Sequence, residues 1–227
     1  MSQRQIYKLS PSDFKYLWAD CKHCFYQKVK NGTSYYGPFP AIFGYMNSLL
    51  QNSVMGKSLK DIHPDLPEGT IEFQEGFLKS KPVPGAEDCF ISGRFDVLTK
   101  LADGTYGVID FKITKPDEEQ IKKFSSQLHA YKFAMENPLE GEPIKISKMG
   151  LISISPDEIA HKKGKFVFTT TPKWHPIDED MEGFFGLIKE ISGVLNGPLP
   201  PETETCELCI YRSRFNPKEK ITDDIPF

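Results

Sequence analysis

Two Cys-x-x-Cys pairs lie near opposite ends of this 227-residue chain and constrain its fold more than any other feature. The first pair is Cys21 and Cys24, and the second is Cys206 and Cys209. In a chain of cytosolic type, such pairs favour metal ligation or redox chemistry over structural disulfides. Four thiolates bind either Zn²⁺ or an iron–sulfur cluster, so shared ligation would join the two ends of the chain. The fifth cysteine, Cys89, begins an apolar stretch and is expected to be buried.

Composition narrows the class of protein. Hydrophobic residues make up 39% of the chain and charged residues 26%, which is ordinary for a globular protein with one sizeable core. The first residues are polar, and no apolar run approaches the roughly 20 residues of a membrane span, so we expect a cytoplasmic protein. The net charge of −3 gives no overall basic field. A local basic groove, or metal ions over carboxylates, can still hold a phosphate backbone.

The apolar pattern predicts an α/β fold with a mixed central sheet and flanking helices. A helix starts at Pro11 and runs toward the first cysteine pair, and the apolar segment 41–55 is expected to form a buried helix. Strands are expected near 71–79, 89–101, 106–114, 148–155 and 165–171. Further helices are expected over 115–138 and 178–195.

The segment from Gly93 to Thr114 predicts a hairpin that carries Asp96, Asp110 and Lys112 in its most apolar stretches. A two-residue turn would place the two aspartates on opposite faces. A three-residue loop, Ala102 to Gly104 with a left-handed glycine, sets Asp96 opposite Asp110 and places Lys112 on the same face. We favour the second register because it gives the three charges a common purpose.

Two opposed carboxylates repel unless a cation lies between them. Hard oxygen ligands suit Mg²⁺ or Mn²⁺, and such ions polarise a phosphate and activate the attacking water. A neighbouring lysine can orient that water and offset developing negative charge. The spacing alone is also compatible with a surface hairpin that carries ordinary charges.

These residues resemble the core of the PD-(D/E)xK nuclease superfamily, in the branch of RecB-type and CRISPR-associated exonucleases. Gly93 and Asp96 match a "G-x-x-D" strand, and Asp110-Phe111-Lys112 matches the "(D/E)-x-K" strand. "QLHAY", from Gln127 to Tyr131, matches the Gln-x-x-x-Tyr helix that supports the active site and substrate in that branch. The resemblance implies a restriction-endonuclease-like core in which Asp96 and Asp110 bind the metal and Lys112, Gln127 and Tyr131 complete the catalytic site.

The first helix of that family often supplies a further metal ligand, frequently histidine. Asn47 falls at that place here and is a weaker, neutral ligand. Glu72, Glu75 and Glu87 are candidates to compensate, and the sequence does not choose among them.

Relatives with a cysteine clamp typically carry a 4Fe–4S cluster held by one N-terminal and three C-terminal cysteines. This chain has two of each, and Phe215 stands where a third C-terminal cysteine would fall. The resemblance favours a 4Fe–4S cluster, with Zn²⁺ as the alternative. His23, between the first two cysteines, is expected to face solvent.

The sequence ends in "DDIPF", which resembles the terminal tip of bacterial single-stranded DNA-binding proteins. Phe227 would fill an apolar slot of a partner that reads such tips, and Asp223 and Asp224 would steer the approach, with Ile225 and Pro226 between them. We therefore expect residues 1–215 to form one nuclease-like domain and residues 216–227 to form an acidic tail.

The sequence thus predicts a metal-dependent DNA nuclease, an exonuclease or end-processing enzyme acting in replication, recombination or repair on single strands or duplex ends. An RNA substrate stays open. The alternative is a weakly active or inactive nuclease-fold protein that binds single-stranded DNA and recruits partners through its C-terminal tip.

Overall fold

The computed structural model describes residues 5–33 and 40–215. The strands are β1 (Tyr7–Leu9), β2 (Thr70–Val83), β3 (Ala86–Lys100), β4 (Tyr106–Ile113), β5 (Ile146–Ile154), β6 (Glu158–Lys162), β7 (Lys165–Thr169) and β8 (Lys173–Ile177). The helices are α1 (Pro11–Asp13), α2 (Lys22–Asn31), α3 (Ala41–Val54), α4 (Leu59–Ile62), α5 (Glu118–Glu136), α6 (Met181–Asn196) and α7 (Glu207–Phe215). A π-helical segment, Phe14–Trp18, follows α1 directly.

Six strands form one mixed sheet. β3 pairs with β1, β2 and β4, and the sheet continues from β4 through β5 to β8. The β1–β3 and β4–β5 pairs are parallel, whereas the other pairs are antiparallel. β6 and β7 form a separate two-stranded ribbon. The predicted mixed α/β architecture is confirmed.

Helices cover both faces of the sheet because its strands alternate apolar side chains toward each side. On one face, Phe124 and Leu128 of α5 pack against Leu98 of β3 and its neighbours. On the other face, Val54 at the end of α3 and Leu59 of α4 pack against the opposite side of β3 and β4. A further apolar cluster joins β1, α2 and α6.

Helix α3 departs from the prediction of a buried helix. Ile42, Tyr45 and Leu49 are 55%, 64% and 52% exposed, and its only fully buried side chains are Gln51 and Val54. The helix reaches the core with its C-terminal turn alone, so apolar composition was a poor guide to its burial.

Within the described residues, no helix is both long and apolar enough to cross a membrane.

Gly93 of β3 fits closely under Pro11 of α1. A Cβ atom at Gly93 would lie 2.7 Å from the Pro11 ring, whereas a Cβ atom at Gly186 in α6 would meet no atom within 4 Å. We expect Gly93→Ala to lower the free energy of unfolding by about 1–3 kcal/mol because α1 must shift. The matched change Gly186→Ala should raise it by about 0.5–1 kcal/mol through helix propensity. Urea unfolding of both variants checks this, and equal effects would contradict it.

Candidate functional site

The loop between β3 and β4 decides where the charged residues lie. Val97 pairs with Ile109 and Lys100 with Tyr106, so the same register sets Asp96 opposite Asp110. Gly104 has a φ of 81°, the left-handed conformation that a three-residue loop needs. The predicted loop and register are confirmed, and the two-residue alternative is excluded.

The five residues predicted to form the catalytic site are connected by hydrogen bonds. The Lys112 ammonium lies 2.5 Å from Asp110 Oδ2. The Gln127 amide nitrogen lies 3.4 Å from Asp110 Oδ1 and donates to the Tyr131 hydroxyl oxygen at 2.8 Å. Asp96 Oδ2 accepts the backbone N–H of Phe111 at 3.1 Å. Spacing along one helix face therefore brought Gln127 and Tyr131 to the carboxylates, as predicted.

Burial disfavours the ionised forms of Asp96 and Asp110 and so raises the pKa of both carboxyl groups. Burial, and secondarily repulsion from Asp110, raises the pKa of Asp96 to about 7, although Lys112 opposes this shift. Burial also raises the pKa of Asp110, whose side chain is only 2% exposed. The pKa of Lys112 is raised because the two aspartates outweigh the cost of burying its charge. The site thus favours an added positive charge.

An open cleft of about 420 Å³ adjoins this network. Its lining includes Lys15, Tyr16, Asn47, Asp96, Lys112 and Phe124. Asn47 reaches the cleft from α3, so the residue that the resemblance marked as a further ligand does share a cavity with Asp96. The volume is within the range of small-ligand sites in proteins.

The structure also chooses among the three glutamates. Gln74 pairs with Val97 and Gly76 with Phe95, which sets Glu75 of β2 opposite Asp96. Glu75 has a φ of 45°, and its charge contributes to the raised pKa of Asp96. Glu72 instead accepts a hydrogen bond from Tyr106, and Glu87 accepts one from the backbone N–H of Gly85.

Lys15 and Tyr16 are cleft residues that the sequence did not indicate. They lie in the π-helical segment, where Ala19 N–H donates to the carbonyl of Phe14 at 3.1 Å. In that segment Phe14, Leu17 and Trp18 are buried, while Tyr16 is 54% exposed. A π-helical turn has no spacing signature, but such turns are frequent at functional sites.

The two cysteine pairs meet as predicted. Cys21 Sγ lies 3.6 Å from Cys209 Sγ, and Cys24 Sγ lies 3.6 Å from Cys209 Sγ and 3.8 Å from Cys206 Sγ. Cys206 is partly buried and the other three are buried. Among the residues that the structure describes, no other group of three or more histidine, cysteine or acidic side chains brings its ligand atoms within 4.8 Å of one another.

The chemistry of this four-sulfur group fits a bound metal. Burial disfavours ionisation of Cys21, yet hydrogen bonds from Thr203 and neighbouring groups lower the pKa of its thiol to about 7. Burial raises the pKa of Cys24 and of Cys209. The thiols can hold zinc or an iron–sulfur cluster, and either would take up the negative charge of the thiolates.

Two neighbouring expectations have different outcomes. Cys89 is fully buried, as predicted. His23 does not face solvent: it is 6% exposed, and its Nδ1 lies 2.7 Å from the carbonyl oxygen of Pro200, in the segment that leads to the second cysteine pair. The expected partner-binding residues, 223–227, lie outside the described residues.

Its own structure defines this chain as an α/β protein with a four-cysteine group, and comparison with known proteins assigns it no family. No protein-family model matches the sequence, and a comparison with curated proteins finds no match. Among solved structures, the chain is similar to the crystal structure of SSO0001, with 18% sequence identity, 85% of this chain and 79% of that chain covered, and a TM-score of 0.46.

The raised pKa of Asp96 predicts a pH-dependent stability in the metal-free protein. The folded state holds a proton at Asp96 up to about pH 7, whereas the unfolded chain releases it near about pH 4, so the free energy of unfolding falls as the pH rises between these values. Asp96→Asn removes this loss and should be more stable than the wild type by on the order of 2–4 kcal/mol at about pH 8, but not at about pH 4.

Urea unfolding in EDTA at both pH values measures this difference. Asp178→Asn is the matched control because Asp178 is exposed. Equal pH dependence in the wild type and Asp96→Asn would contradict the prediction.

Proposed function

We propose that this chain is a metal-dependent DNA nuclease of the RecB-like branch of the PD-(D/E)xK superfamily, with a restriction-endonuclease-like core. We expect an exonuclease or end-processing enzyme of replication, recombination or repair. The observation that carries the proposal is the opposition of Asp96 and Asp110 across the β3–β4 pair, with Lys112 beside them and a cleft in front.

The residues around the cleft suit a hard divalent cation. Asp96 and Asp110 would hold Mg²⁺ or Mn²⁺, with Asn47 as a further neutral ligand. A site with two carboxylates leaves the remaining positions to water and phosphate oxygens, which is the coordination that Mg²⁺ commonly adopts. When bound, such an ion polarises the phosphate and lowers the pKa of the attacking water.

The chain's own side chains have separable tasks. The Lys112 ammonium would hold the attacking water and stabilise the negative charge that develops on the phosphate. Gln127 would fix the orientation of Asp110, since its amide lies between that carboxylate and Tyr131. Tyr131 stays protonated because burial raises the pKa of its hydroxyl, so it would act as a neutral hydrogen-bonding group.

Digestion of end-labelled single-stranded and duplex DNA with Mg²⁺ or Mn²⁺ tests the function. We expect cleavage that EDTA abolishes and that Lys112→Ala slows by at least about 100-fold, the usual effect of removing a charge-stabilising group. Lys165→Ala on β7 is the matched control and should cleave at the wild-type rate. Cleavage that survives Lys112→Ala, or no cleavage at all, would overturn the nuclease assignment.

We further infer that the four cysteines hold a single zinc ion. A tetrahedral ion with Zn–S bonds of about 2.3 Å separates its sulfur atoms by about 3.8 Å. Three of the six sulfur pairs here are 3.6–3.8 Å apart, and all four sulfurs lie within 4.8 Å of one another. In a 4Fe–4S cluster each thiolate binds a different iron, so the sulfurs stand further apart and the four cysteines would have to spread. The spacing thus supports the alternative that the resemblance ranked second.

Metal analysis of protein purified without oxygen checks this inference. We expect about one zinc per chain and neither iron nor acid-labile sulfide. Cys24→Ser should lose the metal and melt at a lower temperature, whereas Cys89→Ser, at a buried cysteine outside the group, should retain it. Stoichiometric iron and sulfide with visible absorbance would establish the cluster instead.

A second candidate function is a nuclease-fold protein that binds single-stranded DNA with little or no cleavage. Two observations favour it: Asn47 is a neutral residue at the place of a metal ligand, and Lys112 already neutralises Asp110 directly. In this case Asp223, Asp224, Ile225, Pro226 and Phe227 would recruit a protein that reads single-strand-binding-protein tips. Binding of single strands that Lys112→Ala leaves intact, without hydrolysis by the wild type, would support it.

A further inference from the structure

The π-helical segment places a cation and an aromatic ring side by side at the cleft. The Lys15 ammonium lies 3.1 Å from the centre of the Phe124 ring and 4.9 Å from the centre of the Tyr16 ring. Lys112 lies 4.7 Å from the same Phe124 ring. Phe124 is 1% exposed, so both ammonium groups make cation–π contacts with a buried aromatic ring.

Lys15 forms no close ion pair with any residue that the structure describes, although the charges of Asp110 and Asp20 act on it from a distance. Among the described residues, no carboxylate oxygen lies within 4.0 Å of its ammonium. Partial burial, and secondarily the neighbouring Lys112 charge, lowers the pKa of Lys15 to about 8. Lys15 therefore lines the cleft as a cation without a close ion pair among the described residues, and its ammonium can bind an added phosphate.

Tyr16 offers a ring face to solvent next to this place. It is 54% exposed and meets Phe124 by an edge-to-face contact, with ring centres 6.5 Å apart and an interplanar angle of 82°. The edge contact fixes the orientation of the ring, and because Lys15 lies over one face, the opposite face is the one available for stacking. Exposed aromatic rings beside a cationic groove are the elements that bind unpaired bases.

We infer that Lys15 and Tyr16 form a strand-binding element in which Lys15 binds a backbone phosphate adjacent to the reacting one and Tyr16 stacks on an unpaired base of the same strand. This inference rests on the proposed function and specifies its substrate as single-stranded DNA. A base inside a duplex has both faces covered by its neighbours, so it offers no face to Tyr16.

The backbone around the pair supports a positioning role for the segment. At the start of the segment, Pro11 packs on Gly93 of β3. At its end, the Cys21 N–H donates to the carbonyl of Leu17 at 2.6 Å. The segment is therefore anchored to β3 at one end and to the cysteine group at the other. Lys15 and Tyr16 are presented from a fixed base, which lowers the entropy cost of ordering them on a ligand.

Fluorescence anisotropy with labelled oligothymidylate, without added Mg²⁺ or Mn²⁺ so that no hydrolysis occurs, tests the element. We expect Tyr16→Ala to weaken binding about tenfold to a hundredfold, the loss of one stacked base, and Tyr16→Phe to bind like the wild type. Phe168→Ala is the control, because Phe168 is 61% exposed but lies on the β6–β7 ribbon. An abasic oligonucleotide should bind the wild type and Tyr16→Ala equally.

The phosphate contact has its own measurement. We expect Lys15→Gln to reduce the slope of log binding constant against log salt by about 0.7, the value for one phosphate on a single strand. Lys165→Gln on β7 should leave the slope unchanged. A blunt duplex should bind more weakly than the single strand, and Tyr16→Ala should not change its affinity.

The outcomes separate this inference from the proposed function. If the wild type cleaves or binds single strands but Tyr16→Ala and Lys15→Gln behave like it, the strand-binding element is wrong and the nuclease assignment stands. Preferential duplex binding would likewise overturn the element alone. If the wild type neither binds nor cleaves DNA, both proposals fail.

Discussion

The repulsion between Asp96 and Asp110 is the interaction on which the architecture of the candidate site depends. The β3–β4 register forces the two carboxyl groups onto one face beneath α5, where burial makes charge costly. Lys112 relieves this repulsion through its ion pair with Asp110, and the Lys15 charge adds a weaker contribution. A protein built for stability alone would place apolar side chains there, since buried ion pairs often cost more than they contribute. The buried charges are therefore the feature that the proposed cation site explains.

The cysteine group and the cleft are connected by one segment of the chain, the π-helical segment that lines the cleft and leads to Cys21. The chain runs from Pro11, which packs on Gly93 of β3, through the π-helical segment to Cys21 in the four-sulfur group. His23 adds a contact to the carbonyl of Pro200, which leads toward Cys206. A metal at the four sulfurs would thus hold the segment that lines the cleft as well as the ends of the domain. Such a metal would fix the position of the residues that line the cleft and would take no part in a reaction there.

Backbone strain occurs at the same place. Glu75 has a positive φ in the middle of β2, a conformation that side-chain-bearing residues rarely adopt, and it lies opposite Asp96 in the sheet. Strained residues persist when the surrounding structure determines them, and they concentrate at functional sites. The Glu75 carboxylate also adds a third negative charge near Asp96 and contributes to the raised pKa of that residue.

The sequence by itself determined the fold class, predicted the meeting of the cysteine pairs, and reduced the register of the hairpin to two alternatives, of which it favoured the observed one. Each depends on a local rule: strand alternation, Cys-x-x-Cys spacing, and the left-handed glycine of a three-residue loop. Helical spacing likewise placed Gln127 and Tyr131 together. Only the tertiary structure decided that α3 is largely exposed, that His23 is buried, that Glu75 accompanies Asp96, and that Lys15 and Tyr16 line the cleft. Periodicity shows which face of an element a residue occupies, but the neighbour that covers this face comes from a distant part of the chain. The sulfur spacing was also beyond the sequence, because it depends on how α2 and α7 approach each other.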